Sequence, residues 1–375
     1  MDSPIRVLHV VSSMNLGGIQ SLLMNLYRHI DREKVQFDFA VHTNGQDFFT
    51  QEIIALGGKI YSFPRFTYKN VFAYIKRWKQ FLGEHEEYKI IHGHIRSTAS
   101  IYLCIAKKMN RFTIAHSHST FREPGIEGIA KYILEYPLRF IPDDWFACSS
   151  EAAEVLFGKN TAIKTKIIRN AIDVERFTFD INLRTSVRQE NEILDNLVVG
   201  TVGRIEKPKN PIFIVDVVKQ LIELDEKVKF LWVGTGSLMD TVKKYAAELG
   251  CEDSIIFVGA TAETERYLNA MDVFIMPSLD EGFGIAAIEA ECAGLPVIVS
   301  THVPKSACIT PTTKSISLKE DSKKWAEECL IASKEVAREE VYHNAADDIR
   351  DAGFSIEAEA NRLCDYYLSL NGEYQ

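Results

Sequence analysis

The sequence contains little cysteine, and none of it is arranged as a metal site or a disulfide framework. Seven cysteines are spread singly through 375 residues, without a CxxC pair. Isolated cysteines in odd number are typical of a protein that folds without disulfides in a reducing compartment. The sequence therefore predicts a cytoplasmic protein without a thiolate-bound metal.

Long apolar runs, an excess of positive charge and low-complexity tracts are also missing. The apolar run from Val7 to Val11 is too short for a signal peptide or a membrane-spanning helix. The net charge is −9 and neither half of the chain is strongly basic, which argues against a nucleic-acid-binding protein. A content of 46% hydrophobic and 25% charged residues is that of a folded globular protein.

Strand-like and helix-like segments alternate along most of the chain. Apolar segments such as IRVLHVV, KIIHGHI and FTIAHSH are separated by helical patterns, and the alternation begins afresh at LVVGTVGR after the irregular stretch 163–195. Such alternation predicts parallel sheets with helices on both faces. We predict an α/β protein with two doubly wound Rossmann-like domains facing a central cleft.

The predicted domains are 1–176 together with 355–375, and 177–354. The stretch 163–195 is interpreted as a passage between the domains because it is polar and lacks the alternation. The tail SIEAEANRLCDYYLSL has an amphipathic helical pattern. We expect this C-terminal helix to return and cover the N-terminal domain.

The segment PSLDEGFGIAAIEAECAGLPVIVS, residues 277–300, places acidic residues where a buried α/β unit should have none. A short helix is predicted between Gly284 and Gly294, and helical spacing places Glu289 beside its apolar face. Glu291 is predicted to point into solvent. A partly desolvated Glu289 needs hydrogen-bond donors, which a ligand with vicinal hydroxyls would provide, whereas most helical glutamates are simply solvated.

Glu281 lies in the loop before this helix, directly after an apolar strand. Open α/β sheets bind ligands at the carboxyl ends of their strands. This position, together with the nearby Glu289, favours ligand binding over the interpretation of these acids as ordinary solvated residues.

Two cations surround a predicted helix start in LVVGTVGRIEKPKNPIFIVDVV. Arg204 follows a strand, and Lys209 precedes a helix with Asn210 as its N-cap and Pro211 at its first position. A helix N-terminus with nearby cations suits a diphosphate. The alternative is a surface basic pair, and spacing alone does not exclude Lys207 as the second cation.

Glycine turns occur at two further helix starts. Gly17 and Gly18 in LGGIQ would allow a close approach by an anion or a sugar, although a Gly-Gly pair is also a common tight turn. GTGSLM resembles a dinucleotide-binding motif, but its third glycine is replaced by Met239 and no ribose-binding acid follows the next strand. We interpret this second turn as structural.

Histidines cluster after two predicted strands, at His92 and His94 in IIHGHIRS and at His116 and His118 in TIAHSHST. Strand alternation places His116 and His118 on one face. An HxH pair can bind a metal, but no carboxylate or thiol lies at a matching spacing, which argues against a metal site. Structural histidines paired with the backbone are the other alternative.

The combined pattern VGR-x4-KN, VG-x-GSL, F-x-G and PS-x2-EGFG-x4-EA-x3-G-PVI resembles the retaining glycosyltransferases of family four, which have the GT-B architecture. LGGIQ, IIHGH, AHSHS and IIRNAID match more loosely. The resemblance implies transfer of a sugar from a nucleotide diphosphate sugar, expected to be UDP-linked, with retention and without a metal or another cofactor. It also implies a saccharide or lipid-linked acceptor and a place in capsule, exopolysaccharide or lipopolysaccharide synthesis.

The resemblance also implies roles for individual residues. Those that would bind the donor are Arg204 and Lys209 on the diphosphate, Glu289 on the ribose, Glu281 with the backbone of Gly282, Phe283 and Gly284 on the sugar, and Gly17 and Gly18 near the phosphates. His118 best matches the active-site histidine of the family, with His116 second.

Two other functions are compatible with this architecture. A sugar-nucleotide epimerase or hydrolase would act without an acceptor, and an inactive binding protein would not catalyse any reaction.

The amphipathic stretch 68–82 carries an apolar face flanked by lysines and arginine. It predicts either a helix that packs on its sheet or a peripheral contact with the inner face of the cell membrane.

Overall fold

The computed structural model describes residues 3–119, 125–335 and 338–371. Contacts divide the chain into two compact units, unit 1 with Met1–Ala171 and Ile356–Gln375, and unit 2 with Ile172–Ser355. Among the described residues, no helix combines the length and the apolar composition that crossing a membrane requires.

Unit 1 is a parallel sheet with helices on both faces. Its strands are β1 Ile5–Val11, β2 Val35–Val41, β3 Ile60–Ser62, β4 Ile90–Gly93, β5 Phe112–Ser117, β6 Asp144–Ala147 and β7 Lys166–Ile167. Its helices before unit 2 are α1 Gly18–His29, α2 Thr50–Ala55, α3 Val71–Glu84, α4 Arg96–Lys108, α5 Gly125–Glu135, α6 Ser150–Phe157 and α7 Lys159–Ala162. The strand order among the described residues is β3-β2-β1-β4-β5-β6-β7.

Unit 2 repeats this architecture. After helices α8 Val174–Phe177 and α9 Ile181–Glu190, its strands are β8 Leu197–Val202, β9 Val228–Val233, β10 Ile255–Gly259, β11 Val273–Met276, β12 Val297–Ser300 and β13 Thr313–Ile316. The remaining helices are α10 Pro211–Leu224, α11 Met239–Glu248, α12 Thr264–Ala270, α13 Ile285–Cys292, α14 Ser322–Glu335 and α15 Arg338–Asp351. The described strands pair in parallel in the order β10-β9-β8-β11-β12-β13.

The two sheets confirm the predicted class of two doubly wound Rossmann-like domains. In each sheet the strand order reverses direction at one point, between β1 and β4 in unit 1 and between β8 and β11 in unit 2. The carboxyl ends of the strands at such a switch point form a crevice that binds ligands. The candidate site residues of both units are found at these two places.

Alternating side chains along the central strands build a core on each face of the sheet. In β1, Val7 and Val11 pack on one face while Leu8 and Val10 pack on the other, as strand geometry requires. Helix α16, Ile356–Asn371, completes the first of these cores with Tyr367 and its neighbours. This confirms the prediction that the C-terminal helix returns to the N-terminal domain.

The stretch 163–195, which was interpreted as a passage between the domains, contains the boundary between the two units and also forms helix α9. The guanidinium groups of Arg184 and Arg188 form ion pairs with Asp272, which also accepts a hydrogen bond from the backbone N–H of Val198 at 2.8 Å. Val187 lies in the core of unit 2. The polar composition of this stretch therefore reflects a helix attached by ion pairs.

The amphipathic stretch 68–82 forms most of α3, and its apolar face packs on the sheet of unit 1. Trp78 and Leu82 are fully buried, together with Tyr74 and Phe81, which lie on the same face. The packing interpretation is therefore correct for this helix. Its apolar face is not available to a membrane.

Candidate active site

The switch point of unit 2 brings Arg204, Lys209 and Glu281 together; we call this group the β8–β11 site. Arg204 and Lys209 line the same small surface pocket with Ser278. The Lys209 ammonium forms an ion pair with the Glu281 carboxylate, which also accepts a hydrogen bond from Ser278 Oγ at 3.2 Å. The sequence predicted the first three residues and missed Ser278.

Backbone contacts hold the two loops of the β8–β11 site against each other. The carbonyl of Pro208 accepts hydrogen bonds from the N–H groups of Leu279, at 2.8 Å, and of Asp280. The loop that carries Lys209 and the loop that carries Glu281 are thereby connected directly. The ion pair between these residues follows from this arrangement.

Helix α10 begins at Pro211, as predicted, but Asn210 does not cap it with its side chain. Asn210 adopts a left-handed conformation with φ 56°, and its side chain accepts no hydrogen bond from the first turn. The backbone N–H groups of that turn therefore lack a side-chain cap. With Lys209 directly before them, they provide a positive helix terminus.

The loop from Glu281 to α13 is built from glycines with different requirements. Gly284 has φ 86°, and an added Cβ would lie 2.9 Å from Cβ of Ala307, so only glycine fits there. Gly282 is exposed, and an added Cβ would meet no atom within 4 Å. The Phe283 ring packs 5.8 Å from the ring of Phe354. The backbone at Gly282 is therefore open to a ligand.

Glu289 and Glu291 have environments different from those predicted. Glu291 is fully buried, which contradicts its predicted exposure, and it accepts hydrogen bonds from the N–H of Ile309 at 3.0 Å and from the hydroxyl of Thr313. Burial raises the pKa of Glu291 to about 7, although these donors oppose the shift. The prediction was wrong because α13 is covered on both sides.

Glu289 is half-buried, and no described residue donates a hydrogen bond to its carboxylate. Desolvation raises the pKa of Glu289 to about 8; the positive charge of Arg176 opposes this shift and the carboxylate of Glu265 adds to it. Arg176 does not neutralise Glu289 by direct contact because its guanidinium binds Glu265, at 3.0 Å from Nε. The chain therefore holds an acceptor that a ligand with hydroxyl groups would satisfy.

The GTGSLM turn, residues 234–239, packs against the loop of the β8–β11 site that carries Arg204. An added Cβ at Gly234 would lie 2.1 Å from the carbonyl of Gly203, which agrees with the structural interpretation of this turn. The N–H and hydroxyl of Ser237 both donate to Glu206, and these bonds lower the pKa of that carboxyl. The turn therefore supports the loop that carries Arg204.

Five histidines lie together at the switch point of unit 1, on β1, β4 and β5 and in the loops that follow these strands. We call this group the histidine cluster; its members are His9, His92, His94, His116 and His118. His94 lies between His9 and His118, with nitrogen distances of 2.9 and 2.8 Å. His116 lies 3.2 Å from His92, which contacts the Tyr367 hydroxyl at 2.6 Å.

Burial keeps the histidine cluster neutral. It lowers the pKa of His9 and of His118 to about 3 and the pKa of the other three well below 6.5, with neighbouring imidazoles adding to the shift. The rings of His116 and His118 are stacked with centroids 3.9 Å apart, so they share one face as predicted. His118 is half-buried and the others are buried.

Sequence patterns alone did not connect His9 or Tyr367 to this cluster. His9 pairs in register with His92 across β1 and β4, and Tyr367 comes from α16 at the other end of the chain. A histidine inside the apolar run IRVLHVV was the available signal. The strand order needed to use that signal was not readable from the sequence.

The Gly-Gly turn of unit 1 forms the start of α1. Gly17 precedes the helix in extended backbone, and Gly18 is its first residue. Both are exposed, and an added Cβ at Gly18 would meet no atom within 4 Å. The structure therefore leaves this helix start accessible to a ligand.

Comparisons with known proteins agree with this geometry. Residues 16–176 match the model of Glycosyltransferase Family 4, and residues 184–330 match that of Glycosyl transferases group 1. EpsF of Bacillus subtilis (strain 168), named as a glycosyltransferase, is 29% identical over 335 residues, which is 87% of each chain. The UDP-Gal:alpha-D-GlcNAc-diphosphoundecaprenol alpha-1,3-galactosyltransferase of Escherichia coli is 24% identical over 80% of each chain.

A solved structure shows the same fold over nearly the whole chain. Alr3699/HepE of Anabaena, crystallised in complex with UDP, has a TM-score of 0.79 and 17% sequence identity, with 97% of this chain and 100% of that one covered. The family models match both units, and the two doubly wound sheets agree with these matches. The chain belongs to the glycosyltransferases with the two-domain GT-B fold, with a family 4 domain followed by a group 1 domain.

Proposed function

We propose that this glycosyltransferase moves a sugar from a UDP-linked donor to a saccharide or lipid-linked acceptor, with retention of the anomeric configuration and without a metal. The observation that carries the proposal is the β8–β11 site, where Arg204 and Lys209 flank an uncapped helix start at the switch point. Cations and a helix N-terminus stabilise the charge of a diphosphate.

The departing diphosphate would gain negative charge as the sugar leaves. Arg204, Lys209 and the first turn of α10 stabilise that charge, and the departing phosphate accepts the proton of the attacking hydroxyl on the same face. Lys209 is pre-positioned by Glu281, which binds the donor sugar together with the open backbone at Gly282. Glu289 accepts hydrogen bonds from the ribose hydroxyls.

On the acceptor side, His118 positions the sugar through Nδ1, because its Nε2 faces His94 within the histidine cluster. The ring of His116 stacks on the ring of His118 and supports it. Gly17 and Gly18, whose backbone is exposed, are assigned to phosphate binding as the family resemblance implies. Neither histidine acts as a general base in this proposal because burial lowers both pKa values far below neutrality.

A panel of nucleotide sugars in a thermal-shift assay tests the donor first, because a ligand that binds the folded state raises its stability by mass action. UDP-sugars are expected to raise the melting temperature more than GDP-, ADP- or dTDP-sugars. Transfer is then measured with the stabilising donor, with and without EDTA. Loss of transfer in EDTA that manganese restores would contradict the metal-free proposal.

The same assay separates the alternative functions. An epimerase or hydrolase would convert the donor in the absence of any acceptor, and an inactive binding protein would be stabilised by the donor without converting it.

NMR of the product gives the anomeric configuration. An inverted linkage would refute retention while leaving the glycosyltransferase assignment intact.

A lipid-linked acceptor is supported by the Escherichia coli relative, whose name specifies a diphosphoundecaprenol-linked sugar. We therefore place this chain in bacterial surface polysaccharide synthesis at the inner face of the membrane. An exposed apolar stripe on unit 1 fits that placement. Its members occur at helical spacing on and after α5: Ile129, Tyr132, Ile133, Tyr136 and Phe140.

This α5 stripe is the surface that we assign to the membrane. Ile133 is 65% exposed and Phe140 69%, which is unusual for large apolar side chains at regular spacing. The guanidinium of Arg139 lies 4.6 Å from the ring of Tyr136, so a cation accompanies the aromatic side chains. Aromatic, aliphatic and basic side chains on one helical face are typical of interfacial helices on anionic lipids.

A further inference from the structure

Three histidines of unit 1 offer nitrogen atoms at the separations of a metal site. One nitrogen from each of His94, His116 and His118 can be chosen so that all three lie within 4.8 Å of one another. His94 Nδ1 and His118 Nε2 are 2.8 Å apart, a hydrogen-bond distance that has to widen to about 3.3 Å when both nitrogens ligate one tetrahedral ion. We propose that these three imidazoles bind a divalent first-row transition metal ion of the Zn²⁺ class, and that the bound ion inhibits the enzyme.

The imidazoles of His94 and His116 each have a hydrogen-bond partner on the side away from the proposed ion, as metal-binding histidines usually do. His94 directs its other nitrogen, Nε2, to His9 Nδ1 at 2.9 Å, and His116 directs Nδ1 to His92 Nε2 at 3.2 Å. A metal-binding histidine usually donates its second ring N–H to such a partner, which fixes the ring and the tautomer. His116 Nε2 is buried and has no hydrogen-bond partner, so it is the nitrogen left to ligate.

One set of tautomers directs a lone pair from each ring to the ion. In this set the hydrogen is on Nε2 of His94, on Nδ1 of His116 and on Nδ1 of His118, and each ring stays neutral. His94 Nδ1 and His118 Nε2 then face each other with two lone pairs, an arrangement that repels unless a cation lies between them. Without the ion, a proton on one of these two nitrogens forms the observed hydrogen bond.

The position in the fold also provides access. His94 lines a cavity of about 590 Å³ within unit 1, shared with Ser97 and Gly128, and His118 is half-buried. The cavity gives an ion a way in and leaves room for water as the fourth ligand of a tetrahedral site. The neighbouring trio of His9, His92 and His94 is buried throughout, and it shares His94. Ions cannot occupy both trios at once.

Inhibition follows from the position of His118, and this part rests on the proposed function. An ion on His118 Nε2 fixes the ring and places a double positive charge beside it, and the other nitrogen of this ring, Nδ1, is the one that the proposed function assigns to the acceptor sugar. The enzyme would then work best without the metal. This distinguishes an inhibitory site from a metal requirement, since chelators should preserve or raise activity.

Binding is tested without donor or acceptor, so its outcome does not depend on the proposed function. Untagged protein is freed of metal with EDTA, dialysed and titrated with Zn²⁺ in a calorimeter and with Co²⁺ in a spectrophotometer. We expect one ion per chain and the visible absorption of tetrahedral Co²⁺. His118→Gln and His116→Gln should each weaken binding at least about tenfold.

His85→Gln is the control, because His85 is a partly exposed histidine of the same unit outside the cluster. Binding by wild type that is unchanged in the His118 and His116 variants, or lost equally in the His85 variant, would refute the site. His118→Gln decides the matter if the buried His116 variant misfolds by circular dichroism. Binding without inhibition of transfer would refute the active-site position of His118 but leave the metal site standing.

Discussion

Glu291 accepts hydrogen bonds from the backbone N–H of Ile309, whereas Glu289, two residues earlier on α13, receives none from any described residue. One carboxylate is therefore satisfied by the protein and the other is left for a ligand. The two acids that look alike in the sequence should respond to substitution in opposite ways.

Glu289→Ala should weaken UDP binding by about 2–4 kcal/mol, because it removes charge-assisted hydrogen bonds from the ribose hydroxyls. This corresponds to more than about tenfold in Kd, measured by calorimetry at pH 9, where Glu289 is ionised in the free protein. Glu226→Ala, which removes an exposed carboxylate of the same unit, is the control and should bind as wild type does. Equal affinity of the Glu289 and Glu226 variants would refute the ribose assignment.

The affinity for UDP should rise between pH 7 and 9. The pKa of Glu289 is about 8 in the free protein, and hydroxyl donors favour the ionised form, so the bound protein carries a lower pKa and binding releases a proton. Binding therefore strengthens as pH rises through the free-state pKa and levels off above it. Glu289→Gln should remove this dependence, and a slope that persists in the variant would assign it to another group.

Removing the Glu291 carboxylate should destabilise unit 2. Glu291→Ala leaves the N–H of Ile309 and the hydroxyl of Thr313 buried without their acceptor, at a cost of about 1–3 kcal/mol each. Urea unfolding at pH 7 measures the loss. Glu291→Gln keeps one acceptor oxygen and should lose less; an alanine variant as stable as wild type would contradict the buried position.

The protein should lose stability as the pH falls from 6.5 toward 3. Histidines of the cluster have folded pKa values lowered by burial, so the unfolded chain binds protons that the folded chain does not. Their contribution is complete above pH 6.5, and each one removes up to about 1.4 kcal/mol per pH unit below it. Urea midpoints measured across this range should fall less steeply in His9→Gln, and an unchanged slope would contradict the burial of His9.

Ile129→Ser combined with Ile133→Ser should abolish sedimentation with anionic liposomes at low salt, because both side chains belong to the α5 stripe. Phe72→Ser is the matched control, since Phe72 on α3 is 84% exposed but lies outside the stripe. If the α5 variant sediments like wild type, or if wild type does not bind, the proposed membrane surface is refuted.

The alternation of apolar segments was sufficient to predict both sheets, and the amphipathic pattern of the tail predicted the return of α16. Local patterns also located the start of α10 at Pro211 and the end of α13 before Gly294, because turn and cap residues act over a few positions. Arg204, shortly after β8, and Lys209, shortly before α10, therefore lie where the local patterns placed them.

Features that depend on the third dimension were not predictable. Glu291 was expected in solvent because helical spacing shows one buried face, whereas the segment around Ile309 covers the other side of α13. Tyr367 and His92 are 275 residues apart and meet only because α16 packs against unit 1. Both α3 and α5 are amphipathic, but the apolar face of α3 packs on the sheet whereas the α5 stripe is exposed.

The return of α16 has a consequence for the order in which the molecule can be made. Unit 2 is one continuous stretch of chain, whereas the core of unit 1 includes Ile356, Leu363 and Tyr367, which the ribosome adds after all of unit 2. Since domains tend to fold as they emerge, unit 2 can complete its core while unit 1 still exposes the apolar surface that α16 covers. The His92 contact to Tyr367 therefore forms after the core of unit 2, and the histidine cluster is completed only once α16 has been synthesised.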